Sequence, residues 1–347
     1  LCYKKLNMSK KNSSVILKDS FKNYNDLSEV YLNFKKKIKK LRSKSFVIAV
    51  SGGADSLALA ALAKTLSYES KFEFFYVLID HNIRKNSHKE ALKVKEILKK
   101  KNINLKIVKN KNKIKVNIQA NARIARYDLL KRFCLQKNIK GILTAHNLED
   151  QVETFFIRLS RGSGLTGLSS MQSISFIDKN IKLYRPLLNV KKSVLKKVSR
   201  QIFGEFINDP SNFDEKYLRT KIRNLKNPLK KSGIEYEKII QSINNLSSSK
   251  AILDDYYLGI SKELIKKKSN EININLRKFN FYGNEIKIRL INDSIKKLKK
   301  NYYNLRVKKI LNLLQNLNYK KFKSATLGGC IFTKKEDFLC LKSEKKY

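Results

Sequence analysis

An unbroken apolar run, Phe46-Val47-Ile48-Ala49-Val50, ends at Ser51-Gly52-Gly53, and apolar positions resume as Leu-Ala-Leu-Ala-Ala-Leu-Ala over 57–63. The first run has the length of a strand buried on both faces, and the second predicts a helix buried all round. The pattern then repeats. Phe74–Asp80, Ile103–Val108 and Ile142–Ala145 read as strands, and Ser87–Lys101, Ile118–Lys137 and Leu148–Ser160 as helices. Such alternation predicts an α/β fold, a parallel twisted sheet with helices on both faces. Ligands of such sheets sit at the carboxyl ends of the strands, so the polar residues just after each strand are the ones that matter. Beyond residue 235 the apolar spacing becomes helical, through Ile239, Ile240, Ile243, Leu246, Ile252, Leu253, Tyr256, Tyr257 and Ile260. Tyr302–Leu317 reads as a further, strongly basic helix, and Ala325–Leu341 has β-rich composition around Gly328 and Gly329. The organisation expected is an extension over 1–40 with a leading helix, a catalytic domain over 41–228, and a mainly helical domain over 229–347 ending in a small sheet. Residues 208–228, rich in Asn, Asp, Arg and Lys, read as the linker.

The turn after the first strand carries chemistry. Two adjacent glycines allow a sharp turn and a close backbone approach to a ligand. The helix that begins there presents free N–H groups, which favour an anion. Ser51 and Ser56 add hydroxyls, Gly52, Gly53 and Ala54 supply backbone, and Asp55 puts a carboxylate at the same place. A carboxylate beside a phosphate site implies a cation between them, hence Mg²⁺ bound by Asp55. No Gly-Lys-Ser/Thr closes the loop, so it is not of the Walker type. The plain alternative is a tight strand-to-helix turn with Asp55 as a first-turn charge. Ser-Gly-Gly-Xaa-Asp-Ser after a strand resembles the pyrophosphate loop of the ATP-pyrophosphatase superfamily, whose members split ATP between its α and β phosphates.

Asp80-His81-Asn82-Ile83-Arg84 follows the second strand, and His146-Asn147-Leu148-Glu149-Asp150 the fourth. On a wheel of about 100° per residue, Val152, Phe155, Phe156 and Leu159 share a core face. His146, Asp150, Glu153, Thr154 and Arg161 lie opposite, with Ile157 the one apolar intruder. A carboxylate pair at i and i+3 can hold a metal or a substrate ammonium; alternatively it is a solvated polar face.

Composition narrows the partners. The chain of 347 residues suggests about two domains, and its net charge of +47 fits a polyanionic partner. The richness in Lys, Asn and Ile together is also what an A/T-biased coding sequence would produce. Cys2, Cys134, Cys330 and Cys340 form no Cys-x-x-Cys pair, which argues against a zinc ribbon, an iron–sulfur site or a disulfide framework. Cys134 falls in an apolar helical segment and reads as core. No apolar run reaches bilayer-spanning length, and the amino terminus has no signal-peptide core, so a cytoplasmic, reducing location is expected. Leu1 in place of Met suggests an over-extended or non-AUG start, with Met8 as the alternative.

The stretch His146–Leu168 resembles the signature of the tRNA(Ile)-lysidine synthetase family. So do Asp80–Arg84 with Ser87, Glu90 and Ala91, then Arg123-Ile124-Ala125-Arg126-Tyr127, Arg185-Pro186-Leu187-Leu188, and Asp209–Asp214 with Tyr217, Arg219 and Arg223. Thr326–Ile331 is similar to a glycine-bearing segment of the family's tRNA-binding domain. The resemblance implies a ligase that uses ATP to adenylate the C2 carbonyl oxygen of the wobble cytidine in the CAU anticodon of tRNA(Ile). The amine of free L-lysine then displaces AMP. On this resemblance Asp55, His146, Arg126, Asp150 and Glu153 are the catalytic candidates. Ser51, Gly52, Gly53, Ala54, Asp55, Ser56 and His81 bind ATP, and Arg84, Arg123, Arg161, Arg219 and Arg223 bind tRNA. Asp150 and Glu153 take either lysine or a metal, and a homodimer is admissible. Rival readings are a tRNA thiolase or an NAD, GMP or asparagine synthetase of the same superfamily, and a non-catalytic basic RNA-binding module.

Overall fold

The computed structural model describes residues 21, 25–83, 86–112, 114, 116–207, 216, 218–268, 270–299, 305–317 and 322–344. Cys2, Met8, Arg84, Asp209–Asp214, Tyr217 and Tyr302 lie outside the described residues. Two compact units divide between Ser247 and Ser248.

The first unit opens with α1 (Asn25–Lys39), β1 (Ser45–Val50), α2 (Ala54–Glu69), β2 (Glu73–Asp80), α3 (Ser87–Lys99) and β3 (Leu105–Lys109). Next come α4 (Ile118–Gln136), β4 (Gly141–Leu143), α5 (Leu148–Leu159), α6 (Leu165–Leu168), β5 (Ile174–Asp178), β6 (Ile181–Tyr184) and α7 (Lys192–Phe203). The strands form one sheet in the order β3-β2-β1-β4-β6-β5, parallel except for β5, which pairs antiparallel with β6 at the edge. Successive β1 residues serve opposite cores. Phe46, Ile48 and Val50 pack with α1, α2, α3 and α7, while Val47 and Ala49 pack with Leu130 and Cys134 of α4. That two-sided burial is why β1 reads as an unbroken apolar run rather than an alternating one.

Helix α1 is not an appendage: Leu27, Tyr31, Phe34 and Ile38 are buried in the main core, and Lys37 Nζ donates to the Pro186 carbonyl at 2.7 Å. Two features went unread in the sequence. The β5–β6 hairpin is built from two short strands, Ile-Ser-Phe-Ile-Asp and Ile-Lys-Leu-Tyr, without a sustained period of two. Helix α7 is legible in hindsight, because Leu195, Val198, Ile202 and Phe203 recur at helical spacing and are buried.

Helices α8 (Leu218–Asn224) and α9 (Lys226–Lys231) lead into α10 (Tyr236–Leu264). Tyr236, Ile239, Ile240 and Ile243 pack on Leu148 and Val152 of α5, with Leu229 beside them. The first compact unit therefore runs past residue 229.

The second unit contains β7 (Ile265–Lys267), β8 (Glu271–Asn275), α11 (Leu276–Asn280), α12 (Asn284–Leu298), α13 (Val307–Leu317), β9 (Ser324–Leu327), β10 (Cys330–Lys335) and β11 (Phe338–Ser343). Its antiparallel sheet has the order β7-β8-β11-β10-β9. Ile272, Ile274, Phe332, Leu339 and Leu341 form one apolar face against Leu290, Ile291, Ile295, Ile310 and Leu313 of the helices. Gly328 and Gly329 both have positive φ (63° and 69°) and join the paired residues Leu327 and Cys330, a two-residue hairpin turn that other residues strain to adopt. The helical spacing beyond 235 overstated the core here. Ile252 and Tyr256 are 72% and 57% exposed, whereas Tyr257 is buried.

Candidate functional site

Strand order reverses between β1 and β4, because the chain steps outward through β2 and β3 and then crosses back by α4. A crevice opens at such a switch point, at the carboxyl ends of the strands. The loop Ser51–Gly53 leaves β1 there, and His146–Asn147 leads from β4 into α5.

The loop is built tightly. Gly52 has φ +85°, and a Cβ at this position would stand 2.5 Å from Val94 Cγ2. Its carbonyl accepts from the Ile207 N–H at 3.0 Å, which pins the loop from behind. The Ser51 N–H and hydroxyl both donate to Ser56 Oγ at 3.1 Å, and the Ser56 hydroxyl donates to the Gly53 carbonyl at 2.9 Å. Ser56 thus shapes the loop from inside, being buried, while Ser51 is exposed. No side chain caps α2, so its first N–H groups are free to meet an anion.

Asp55 stands in the first turn of α2. Burial pushes its carboxyl up to about 6, the negative charges of Asp150 and Glu149 push the same way, and Lys192 opposes them. Lys192 Nζ lies 4.0 Å from Asp55 Oδ2. Lys192 was not singled out from the sequence, although a pair of lysines soon after Arg185–Leu188 was the available signal. Asp55 Oδ1 is buried with no hydrogen-bond partner. A carboxylate oxygen left in that state suits a hard cation. Among the described residues no group of three or more His, Cys, Asp or Glu side chains could cage a metal. The open Asp55 oxygen beside an uncapped helix N-terminus fits Mg²⁺, which binds through one or two carboxylates plus substrate phosphate oxygens.

Helix α5 starts with a capping box. Asn147 Oδ1 accepts from the Asp150 N–H at 2.9 Å, and Asp150 Oδ2 accepts from the Asn147 N–H at 3.2 Å. Glu149 Oε2 accepts from the Lys192 N–H at 2.8 Å, and its Oε1 pairs with Lys226 at 3.2 Å. Glu153 does not fit the alternative of a solvated polar face: its side chain is 2% exposed. It accepts from Arg219 Nε at 2.7 Å and Arg223 Nε at 2.8 Å. Arg219 also reaches Asp150, at 3.5 Å. Leu159, expected in the core, is 48% exposed. Helix α8 covers the Glu153 side of α5 and leaves the helix end open, which no single-helix wheel can foresee.

The histidines and the remaining arginines gather nearby. His146 Nδ1 bonds to Thr144 Oγ1 at 2.9 Å, and burial, followed by the charges of Arg185, Arg123, Arg219 and Arg126, pushes its pKa down to about 3. Arg126 Nε donates to His81 Nε2 at 3.4 Å, and burial with that neighbour lowers His81 to about 4. Both rings are neutral near pH 7. Arg123 is exposed and stacks over Tyr127 at 5.1 Å. Arg161 is exposed just past α5. Two further residues brace the site. Gln151 bonds both backbone groups of Met171 at 2.8 Å, and buried Arg185 donates to the Gln172 carbonyl at 2.8 Å.

The cysteines stand apart. Cys134, Cys330 and Cys340 are buried and free, and burial raises the Cys134 thiol to about 12. Among the described residues no helix is long and apolar enough to cross a membrane.

Residues 27–229 match the PP-loop domain family. The chain is 35% identical over 314 residues to the tRNA(Ile)-lysidine synthase of Rickettsia typhi, a match covering 86% of this chain and 69% of that protein. It is 47% identical over 182 residues to the tRNA(Ile)-lysidine synthase of Orientia tsutsugamushi, covering 51% and 40%. Among solved structures it is similar to the U34-tRNA thiolase NcsA from Methanococcus maripaludis, with a TM-score of 0.54 and 17% identity over 64% of this chain and 78% of that one. That likeness is one of fold.

Proposed function

Since the chain belongs to the tRNA(Ile)-lysidine synthase family of PP-loop proteins, we propose that it joins free L-lysine to C2 of the wobble cytidine of a tRNA(Ile) with a CAU anticodon, consuming ATP. The cytidine O2 attacks the α-phosphorus of ATP and pyrophosphate leaves. The lysine amine then adds to C2, loses a proton, and expels AMP.

The residues divide the work by their chemistry. The uncapped N-terminus of α2, the Ser51 hydroxyl and Lys192 face the β- and γ-phosphates, where donors and positive charge stabilise the departing pyrophosphate. Asp55 would hold Mg²⁺, whose bound charge neutralises the phosphates. His81 and His146, both neutral, contribute hydrogen bonds rather than charge to the nucleotide and the base. Arg123 and Arg126 supply the charge. Asp150 is the seat for the lysine ammonium, and Glu153, whose two oxygens are taken by Arg219 and Arg223, fixes the arginine that reaches Asp150. Arg84, Arg161, Arg219 and Arg223 guide the RNA backbone, and residues from about 248 onward dock the tRNA body.

This reading is carried by one convergence: the Asp55 loop after β1 and the acidic first turns of α5 after β4 meet at the switch point of the sheet. A single incubation tests it, using ATP, labelled lysine, and transcripts of tRNA(Ile) with CAU and of methionine tRNA. Lysine label should enter the isoleucine transcript alone, with AMP released in equal amount. AMP release without lysine transfer would defeat the proposal.

A further inference from the structure

Asn147 is 1% exposed and sits between the two halves of the site. Its amide orientation is not free. The oxygen is committed to the Asp150 N–H at the cap of α5, so the NH₂ group must point the other way. There it is buried without a hydrogen-bond partner. Asp55 Oδ1 is also buried and unpartnered, and the Asn147 side chain lies close enough to help hold the Asp55 charge. A buried donor beside a buried acceptor, each left open, costs free energy until the two close on one another, and the acceptor keeps a second lone pair for a cation.

We propose that Asn147 is a positioning residue that ties the cap of α5 to the Asp55 carboxylate. With one arm it fixes the turn bearing Asp150. With the other it hydrogen-bonds the Asp55 carboxylate, holding it in the orientation that receives a divalent cation with the nucleotide. The two substrate seats, for the ATP phosphates and for the group gripped by α5, are then aligned through one side chain. This rests on the reading of Asp55 as the cation ligand.

The test measures Mn²⁺ binding to the full chain in the presence of ATP, by electron paramagnetic resonance, without RNA or lysine. Asn147→Ser keeps a good cap for α5 but has no second arm to reach Asp55. Its melting temperature should stay close to that of the parent, while Mn²⁺ affinity falls about tenfold, the worth of one charge-assisted hydrogen bond. Asn147→Ala should lose both the cap and the affinity. Should Asn147→Ser not fold, Asn147→Thr carries the same comparison. Unchanged Mn²⁺ affinity in a folded, capped variant overturns the inference. Asp55→Asn separates the two failures. If it binds Mn²⁺ like the parent, the cation assignment itself falls, and this inference with it. If it loses Mn²⁺ while Asn147→Ser does not, only the role given to Asn147 falls.

Discussion

Lys192 Nζ stands 4.0 Å from Asp55 Oδ2, joining the first residue of α7 to the first turn of α2 across the mouth of the pyrophosphate loop. The pair brings a cation to a carboxylate that burial would otherwise leave strongly disfavoured. It also leaves the other carboxylate oxygen open.

The Asp55 carboxyl, raised to about 6 from its ordinary 3.8, sets a pH dependence. Between those values the folded protein holds a proton that the unfolded chain has released, so stability falls as pH rises through the window and stays lowered above it. Asp55→Asn is therefore expected to raise the melting temperature of the ligand-free protein at pH 7.5. The gain is at most about 2 kcal/mol, since Lys192 loses its partner, and it should vanish below pH 4. The same substitution should slow ATP–pyrophosphate exchange by about a hundredfold or more. Melting curves that coincide across the whole pH range would remove the burial argument.

Gly52 leaves no room for a side chain. Gly52→Ala combines a positive φ with a Cβ 2.5 Å from Val94 Cγ2, and should cost about 2–4 kcal/mol in urea unfolding. Val94→Ala in the same chain should recover the steric part and leave the conformational part. A Gly52→Ala protein as stable as the parent would mean that the loop is not held in this form.

The carboxylate of Glu153 is shared by two guanidinium groups. Glu153→Gln keeps the volume but removes the charge, which should cost about 1–3 kcal/mol, less than a fully buried triad because Arg219 and Arg223 remain partly exposed. If Glu153, through Arg219, also shapes the lysine seat at Asp150, KM for lysine should rise by more than KM for ATP. Equal rises in both would assign Glu153 to structure alone.

Truncation should respect the packing of α10. A chain ending at Ser247 keeps Tyr236, Ile239, Ile240 and Ile243 over α5, whereas one ending at residue 228 uncovers Leu148 and Val152. The first should bind ATP with unchanged affinity, and the second should melt lower. Both should lose tRNA affinity by orders of magnitude. The remaining binding should fall less steeply with salt, because fewer phosphates are neutralised. Full tRNA affinity in the shorter chains would attribute the +47 charge to coding bias instead.

The sequence by itself determined the parallel sheet and the pyrophosphate loop. Both are written in contiguous residues: an apolar run for a strand buried on both faces, then small residues where the backbone must turn and meet a ligand. It also pointed to Asp55, His146 and Asp150 as catalytic candidates, because ligands of this class of sheet sit at strand ends. What it could not give was any property set by an element arriving from elsewhere in the chain. Glu153 looks solvated on the wheel of α5 and is buried only because α8 brings Arg219 and Arg223 across it. Lys192 acquires a role only because α7 packs against α2. Asn147 caps α5 in the structure, and its second arm gains meaning only once β1 and β4 lie side by side. Local patterns report backbone preference and which face is apolar. The charge environment of a side chain depends on neighbours distant in sequence, and those are decided when the layers pack.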